Sequence, residues 1–405
     1  MKILNVNNTK VVYHYLPSKL TNIQILTNVG SASESKDEWG MAHILEHLFF
    51  KGSKKYPGPL DIQTAANDIG GKLNAWTWID QTVYHITVLN DFFRQGFDIL
   101  SDMYQNPLFP QEEFVKELNP ILSEMRRGED NPDGYLSNRL MPAMIGEDAA
   151  HPVIGTEETV RAATVDKMYE FRRRFYGGQN VMISIVGGVT EDEVIGLISD
   201  TFSLPAASES PIIPEVNYKH GEMRLTKSGI TEAIYSLCYP ALPRFHQDRY
   251  KQSLMTYVLG GNDSGMLHER IREELGLSCY GIYASQVHFD SHSILEISTG
   301  IDPNQLEQCH EEVVNQIKRI STELIDDKRL ARAKASLRTS IAAASENSSG
   351  YNSTISVPIL KGMTENPLDK LLSAVEQTTV HDIRDIAQRT FCFAPYKGLL
   401  LPEEE

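Results

Sequence analysis

An internal repeat constrains this chain more than any other feature. The stretch Thr82-Val83-Tyr84-His85-Ile86-Thr87-Val88-Leu89 alternates as a strand does, and Asn90-Asp91 then opens a helical pattern through Phe93, Phe97, Leu100 and Met103. After Asn106-Pro107-Leu108-Phe109-Pro110 a second helical run covers residues 113–127. The same order returns later. Residues 294–298 read as a strand, Asp302-Pro303 leads into a helix carrying Leu306, Val313, Ile317 and Ile320, and a break at 323–327 precedes a helix over 329–341. Each copy has a late helix start, Thr164-Val165-Asp166 and Thr379-Val380-His381, and each ends in an apolar strand, at 181–186 and 398–401. Repetition on this scale implies an α+β protein of two homologous domains, each a mostly antiparallel sheet with helices packed on one face. The run Leu204-Pro205-Ala206-Ala207-Ser208-Glu209-Ser210-Pro211 has linker composition. It divides the chain into a first domain over 1–204, a linker over 205–218 and a second domain over 219–405.

Two domains of this size have ample material for buried cores, since 41% of the 405 residues are hydrophobic and 23% are charged. The formal net charge of −16 argues against nucleic acid as a partner, because binding there depends on neutralising phosphates. No stretch reaches the ~18 apolar residues of a membrane helix, so no membrane partner is expected. The N-terminus turns polar too early for a secretory signal. Cys238, Cys279, Cys309 and Cys392 are scattered, with no paired spacing. That fits reduced thiols in a cytoplasmic protein.

The chemistry concentrates in His43-Ile44-Leu45-Glu46-His47. The surrounding run from Trp39 to Phe50 has no proline and no alternation, so a helix is the simplest assignment. On a helix, positions 43 and 47 lie about 40° apart around the axis and one turn apart along it. Two imidazoles placed so can share one tetrahedral zinc. Glu46 lies on the same side and can serve as a general base without ligating the metal. A third ligand must come from elsewhere, and a carboxylate is the usual companion. Glu117 and Glu124 are two turns apart on the second helical run; one can ligate while the other orients a ligand imidazole. Pro120 between them should kink that helix.

His43-x-x-Glu46-His47 is the inverted zinc motif, and with it the chain resembles the M16 peptidase family in its short bacterial form. The resemblance extends over Gly70-Gly71-Lys72-Leu73-Asn74-Ala75-Trp76-Thr77, Asp80-Gln81-Thr82-Val83-Tyr84, His151-Pro152-Val153-Ile154-Gly155-Thr156 and the duplicated halves. It implies a zinc-dependent endopeptidase with a glutamate ligand about 77 residues beyond the second histidine, a place that Glu124 holds, and Glu117 as the supporting glutamate. It implies that Asn74 and Ala75 lie on an edge strand where a peptide substrate adds as a further β-strand. In the second half, Leu259-Gly260-Gly261-Asn262-Asp263-Ser264-Gly265 and Ile271-Arg272-Glu273-Glu274-Leu275-Gly276-Leu277 match the family's glycine-rich loop and arginine motif, which makes Arg272 a substrate contact. The family's tyrosine partner falls on Cys279 here, with Tyr280 one position later. Either a bulge in that strand restores Tyr280 to the tyrosine's place, or this chain lacks half of the pair.

Short members of the family often act as dimers, so a homodimer, or a heterodimer with a homologous subunit, is expected. A complete zinc half with a displaced tyrosine suits the catalytic subunit of such a heterodimer. The competing expectation is a non-catalytic structural or adaptor subunit, which in this family typically has a broken zinc motif.

Overall fold

The computed structural model describes residues 1–212, 214–289 and 291–403, with the side chains of 278–280 outside the described set. Two sheets organise it. The first contains β1 (Lys2–Val6), β2 (Thr9–Tyr15), β3 (Leu20–Thr27), β4 (Lys72–Thr77), β5 (Thr82–Leu89) and β6 (Val181–Gly187), in the order β1-β2-β6-β3-β5-β4. The second contains β7 (Gly221–Lys227), β8 (Ala233–Ala241), β9 (Ser278–His288), β10 (Ser293–Ile301) and β11 (Tyr396–Pro402), in the order β7-β11-β8-β10-β9. Without β1 the two orders match strand for strand. Each has one parallel pair, β2 with β6 and β7 with β11, and its other pairs are antiparallel. The repeat in the sequence is thus a repeat in topology.

The chain forms two compact units, and they are not its two halves. One comprises residues 1–127, 150–214 and 341–368; the other comprises 128–149, 215–340 and 369–405. The division expected near residues 205–218 separates the two sheets, but two helical segments depart from it. In the first unit one face of the sheet packs on the helices Met41–Phe49, Phe93–Gln105 and Val165–Phe175, through Ile23, Ile25, Leu45, Phe97, Phe171 and Ile183 among others. The opposite face is covered by the helix Ser348–Leu360, where Tyr351, Ile355 and Ile359 meet Val12, Leu26, Val83 and Met182. So the helices gather on one face, and a single helix from late in the chain closes the other.

This closure explains why β3 and β6 are buried at nearly every position instead of alternating. A polar pin fixes the late helix: Asn352 is fully buried, and its Nδ2 donates to Asn22 Oδ1 at 2.8 Å and to Ser184 O at 3.1 Å. In the second unit the helix Pro132–Ile145 has the corresponding place. It lies so close to β11 that a Cβ at Gly398 would come within 2.8 Å of Leu140. No helix among the described residues is long and apolar enough to cross a membrane.

Candidate metal centre

Helix Met41–Phe49 buries Ala42, Ile44, Leu45, Leu48 and Phe49, which leaves His43, Glu46 and His47 along one flank. Its start is built from parts far apart in sequence. Gly40 has φ +94°, a left-handed conformation that suits glycine. The Glu34 carboxylate, fully buried, accepts from Gly40 N at 2.8 Å and Ala42 N at 2.7 Å, and it lies 3.0 Å from His151 Nε2. A carboxylate at a helix N-terminus satisfies otherwise orphaned N–H groups and suits the helix dipole. Burial pushes the Glu34 carboxyl up, and His151 with the two N–H groups opposes that shift. The His151 ring stacks on Trp39 at 4.6 Å. The backbone of the 151–156 loop also presses on the same turn: at Gly155, with φ +80°, a Cβ would stand 2.3 Å from Trp39 O.

On that flank the two imidazole rings stand 4.7 Å apart at 66°. Glu124 Oε2 lies 3.8 Å from His43 Nε2 and 3.7 Å from His47 Nε2. One donor atom from each of these three residues falls within 4.8 Å of the others. Donors around a tetrahedral zinc at 2.0–2.1 Å sit roughly 3.4 Å apart, so the triangle is slightly wider than a loaded site. His43 suits a ligand role because burial, and secondly the nearby His47, lowers its pKa to about 3 and keeps the imidazole neutral. The other nitrogen of His47, Nδ1, lies 2.9 Å from Glu117 Oε1, and Lys51 pairs with the second oxygen of Glu117. Burial alone would raise the Glu117 carboxyl, but the bonds from His47 and Lys51 outweigh it and hold the group below its ordinary range. An ionised acceptor at Nδ1 fixes the tautomer that leaves Nε2 free for a metal. Helix Gln111–Asp130 carries both glutamates and continues through Pro120. Glu117 is largely buried, while the Glu124 side chain is 45% exposed, which leaves one side of the triangle open to solvent.

Glu46 is the carboxylate beside this triangle. Burial raises its pKa above the ordinary glutamate range, and a hydrogen bond from Thr77 Oγ1 partly offsets that. Thr77 ends β4, which pairs with β5 and, among the described residues, has no strand on its outer side. Hydrogen-bonded and open positions alternate along an antiparallel pair. Trp78 N donates to Gln81 O at 2.8 Å across the turn, so Trp76 and Asn74 bond to β5 while Leu73, Ala75 and Thr77 turn their N–H and C=O groups to the open edge. Leu73 and Ala75 also point their side chains toward the helix core, while Asn74 points away into solvent. Ala75 therefore offers open main-chain groups on the side of Glu46, and Asn74 does not.

Arg272 lies in the second unit, on the π-helix His268–Glu274, with its guanidinium exposed and 3.7 Å from Glu273. The pairing of β9 with β10 shifts register between Thr299 and Ile301, which places a bulge next to the displaced tyrosine. The Tyr280 side chain itself lies outside the described residues.

Comparison with known proteins decides the family. Residues 10–157 match the model of insulinase, peptidase family M16, and residues 162–337 match the M16 inactive domain. An uncharacterized zinc protease of Rickettsia bellii is 30% identical over 80% of this chain and 78% of its own length. The chain belongs to peptidase family M16. An uncharacterized zinc protease of Rickettsia felis is 26% identical and aligns over 94% of this M16 chain and 92% of its own length. In fold, a protease from Helicobacter pylori superposes with a TM-score of 0.91 at 20% identity, over 99% of both chains.

Sequence reasoning did not single out Glu34, Lys51 or Thr77. Lys51 stands one turn after His47, a spacing that could have drawn attention to it. Glu34 and Thr77 carry no local signal. Their partners are tertiary neighbours.

Proposed function

We propose that this M16 chain is a zinc-dependent endopeptidase acting on peptides or unfolded segments bound as an added strand along β4. The observation that carries the reading is the convergence of His43, His47 and Glu124 beside Glu46, at the end of a strand with an open edge. The donor set fits zinc: two imidazole nitrogens, one carboxylate oxygen and a side open to solvent. A bound zinc ion would supply Lewis-acid polarisation of a carbonyl and a nucleophilic water at neutral pH. The chain's own residues do the rest. Glu46, half-restrained by Thr77, takes the proton of the attacking water and passes it to the leaving amine. Glu117 keeps His47 in the ligating tautomer, and Lys51 keeps Glu117 ionised. The main-chain groups of Leu73, Ala75 and Thr77 hold the peptide without reading its sequence, which suits a broad specificity. Arg272 and Tyr280 are retained as substrate contacts on the resemblance to the family alone. A dimer, with a second copy or with a homologous subunit, completes the proposal.

The test combines metal analysis with cleavage of an unstructured peptide mixture. Wild type should hold one zinc per chain and cut peptides. Glu46→Gln should keep the zinc and lose hydrolysis by a factor of about a thousand or more, since it removes the base from the step it serves. Full activity in that variant would sink the reading. His47→Ala should lose the metal itself.

The match of residues 162–337 to the M16 inactive domain favours a second reading, a non-catalytic subunit of an M16 assembly. It predicts bound zinc without cleavage, both for the chain alone and with a co-purifying homologue present.

A further inference from the structure

The turn that carries β4 is held by a residue from the far end of the sequence. Lys361 directly follows helix Ser348–Leu360, and its side chain is 2% exposed. Its Nζ donates to the main-chain oxygen of Asp80 at 2.6 Å and lies 3.4 Å from Asp80 Oδ2. Asp80 belongs to the turn Trp78-Ile79-Asp80-Gln81 that joins β4 to β5. Both residues belong to the first compact unit.

The lysine is a strut and not a mobile arm. Its own N–H donates to Val357 O at 3.1 Å, and that of Gly362 donates to Ile359 O at 3.0 Å, so the backbone of Lys361 completes the last helical turn. The helix cannot slide, because the buried Asn352 is bonded to Asn22 and Ser184 of the sheet beneath. Burying an ammonium is costly unless its partner stays in place. The turn is thus located by the helix, and not by the hairpin alone. Thr77, whose hydroxyl meets Glu46, ends the strand that enters this turn. A displaced turn would carry the open groups of Leu73, Ala75 and Thr77 along with it, away from Glu46. Misplacement by about 1 Å in such a frame costs up to a hundredfold in rate or binding.

We infer that Lys361 is a positioning residue for peptide binding: through Asp80 it holds the open edge of β4 in register with Glu46. The inference rests on the reading of β4 as the substrate edge. It gives the segment 341–368, which the repeat would allot to the second domain, a part in peptide capture that involves no contact with the peptide.

The test uses the full-length, zinc-loaded chain carrying Glu46→Gln, so that peptide stays intact, with a fluorescein-labelled unstructured peptide followed by anisotropy. In that background Lys361→Met should weaken Kd about tenfold and Asp80→Asn about threefold, because the latter keeps the bond to the main-chain oxygen. Lys361→Arg should recover most of the lost affinity. Zinc content should stay at the parent value throughout. Amide exchange gives a second readout. Peptide should protect Leu73, Ala75 and Thr77 in the parent, and less so in Lys361→Met. Because Lys361→Met could fail to fold, Asp80→Asn decides: if folded Asp80→Asn binds peptide as the parent does, with unchanged exchange in the turn, the inference is overturned. Normal hydrolysis by wild type together with that result removes this inference alone. Binding that depends on Lys361 in a chain whose wild type cuts nothing removes the hydrolase reading alone. Absence of both binding and cleavage overturns both.

Discussion

At the scale of single residues, the centre is assembled by pairs of unequal visibility. His43, Glu46 and His47 are legible because helical spacing alone sets them on one flank. Thr77 and Glu34 are not, since each acts across a distance in sequence that no periodicity spans: Thr77 on Glu46, and Glu34 on the N–H groups of Gly40 and Ala42. Thr77→Val tests how much such a contact matters. The hydroxyl donates to a carboxylate that must be both ionised and aimed, and a bond to a charged group contributes about 1.5 kcal/mol. Hydrolysis should therefore fall roughly tenfold with zinc content unchanged. A second residue-scale prediction concerns His288 in the second unit. Burial, and then Arg249 and Arg244, lower its pKa to about 4. With the folded pKa below the unfolded value, its contribution to stability is full above pH 6.5 and is lost as pH falls towards 4. The loss amounts to about 3 kcal/mol. Urea midpoints at pH 7 and 4.5, both in chelator, should differ less in His288→Gln than in wild type.

At the scale of elements, strands and long helices follow their hydrophobic periods closely. The strand read at residues 82–89 is β5, and the helix read over 113–127 spans Gln111–Asp130. Pro120 does not end it, so burial of Phe114, Ile121 and Leu122 on one side overrides the missing backbone bond. What periodicity does not carry is how an element is aimed. Helix Met41–Phe49 is aimed by the loop at 151–156, whose glycine touches the carbonyl of Trp39. Gly155→Ala should therefore act on the centre from outside it. A side chain at φ +80°, 2.3 Å from that oxygen, forces the turn apart at a cost of about 2–4 kcal/mol. The melting temperature should fall, and zinc affinity should fall with it because His43 begins only three residues after Gly40. A variant that melts early yet binds zinc as tightly as wild type would show that the loop stabilises the helix without aiming it.

At the scale of the whole molecule, the repeat in the sequence foretells two similar sheets but not which helices cover them. A helix rich in apolar side chains fits the apolar face of either copy, because duplication makes the two faces alike. The pattern of Tyr351, Ile355 and Ile359 shows that a face is buried without saying against which sheet. The structure places these residues on β2, β3, β5 and β6 of the first sheet, so a fragment ending at residue 204 keeps every strand of that sheet and loses the cover of one face. Val12, Leu26, Val83, Met182 and Val186 would then form a contiguous exposed apolar patch, with Asn22 and Ser184 stripped of Asn352. Residues 1–204 expressed alone should aggregate or bind a hydrophobic dye. Supplying residues 341–368 as a separate peptide should suppress both, and an Asn352→Leu version of that peptide should do so less well. If the fragment instead stays monomeric and binds no dye, the late helix contributes little to the first unit. The turn at Asp80 would then have to be held by the hairpin itself, so this fragment also bears on the part assigned to Lys361.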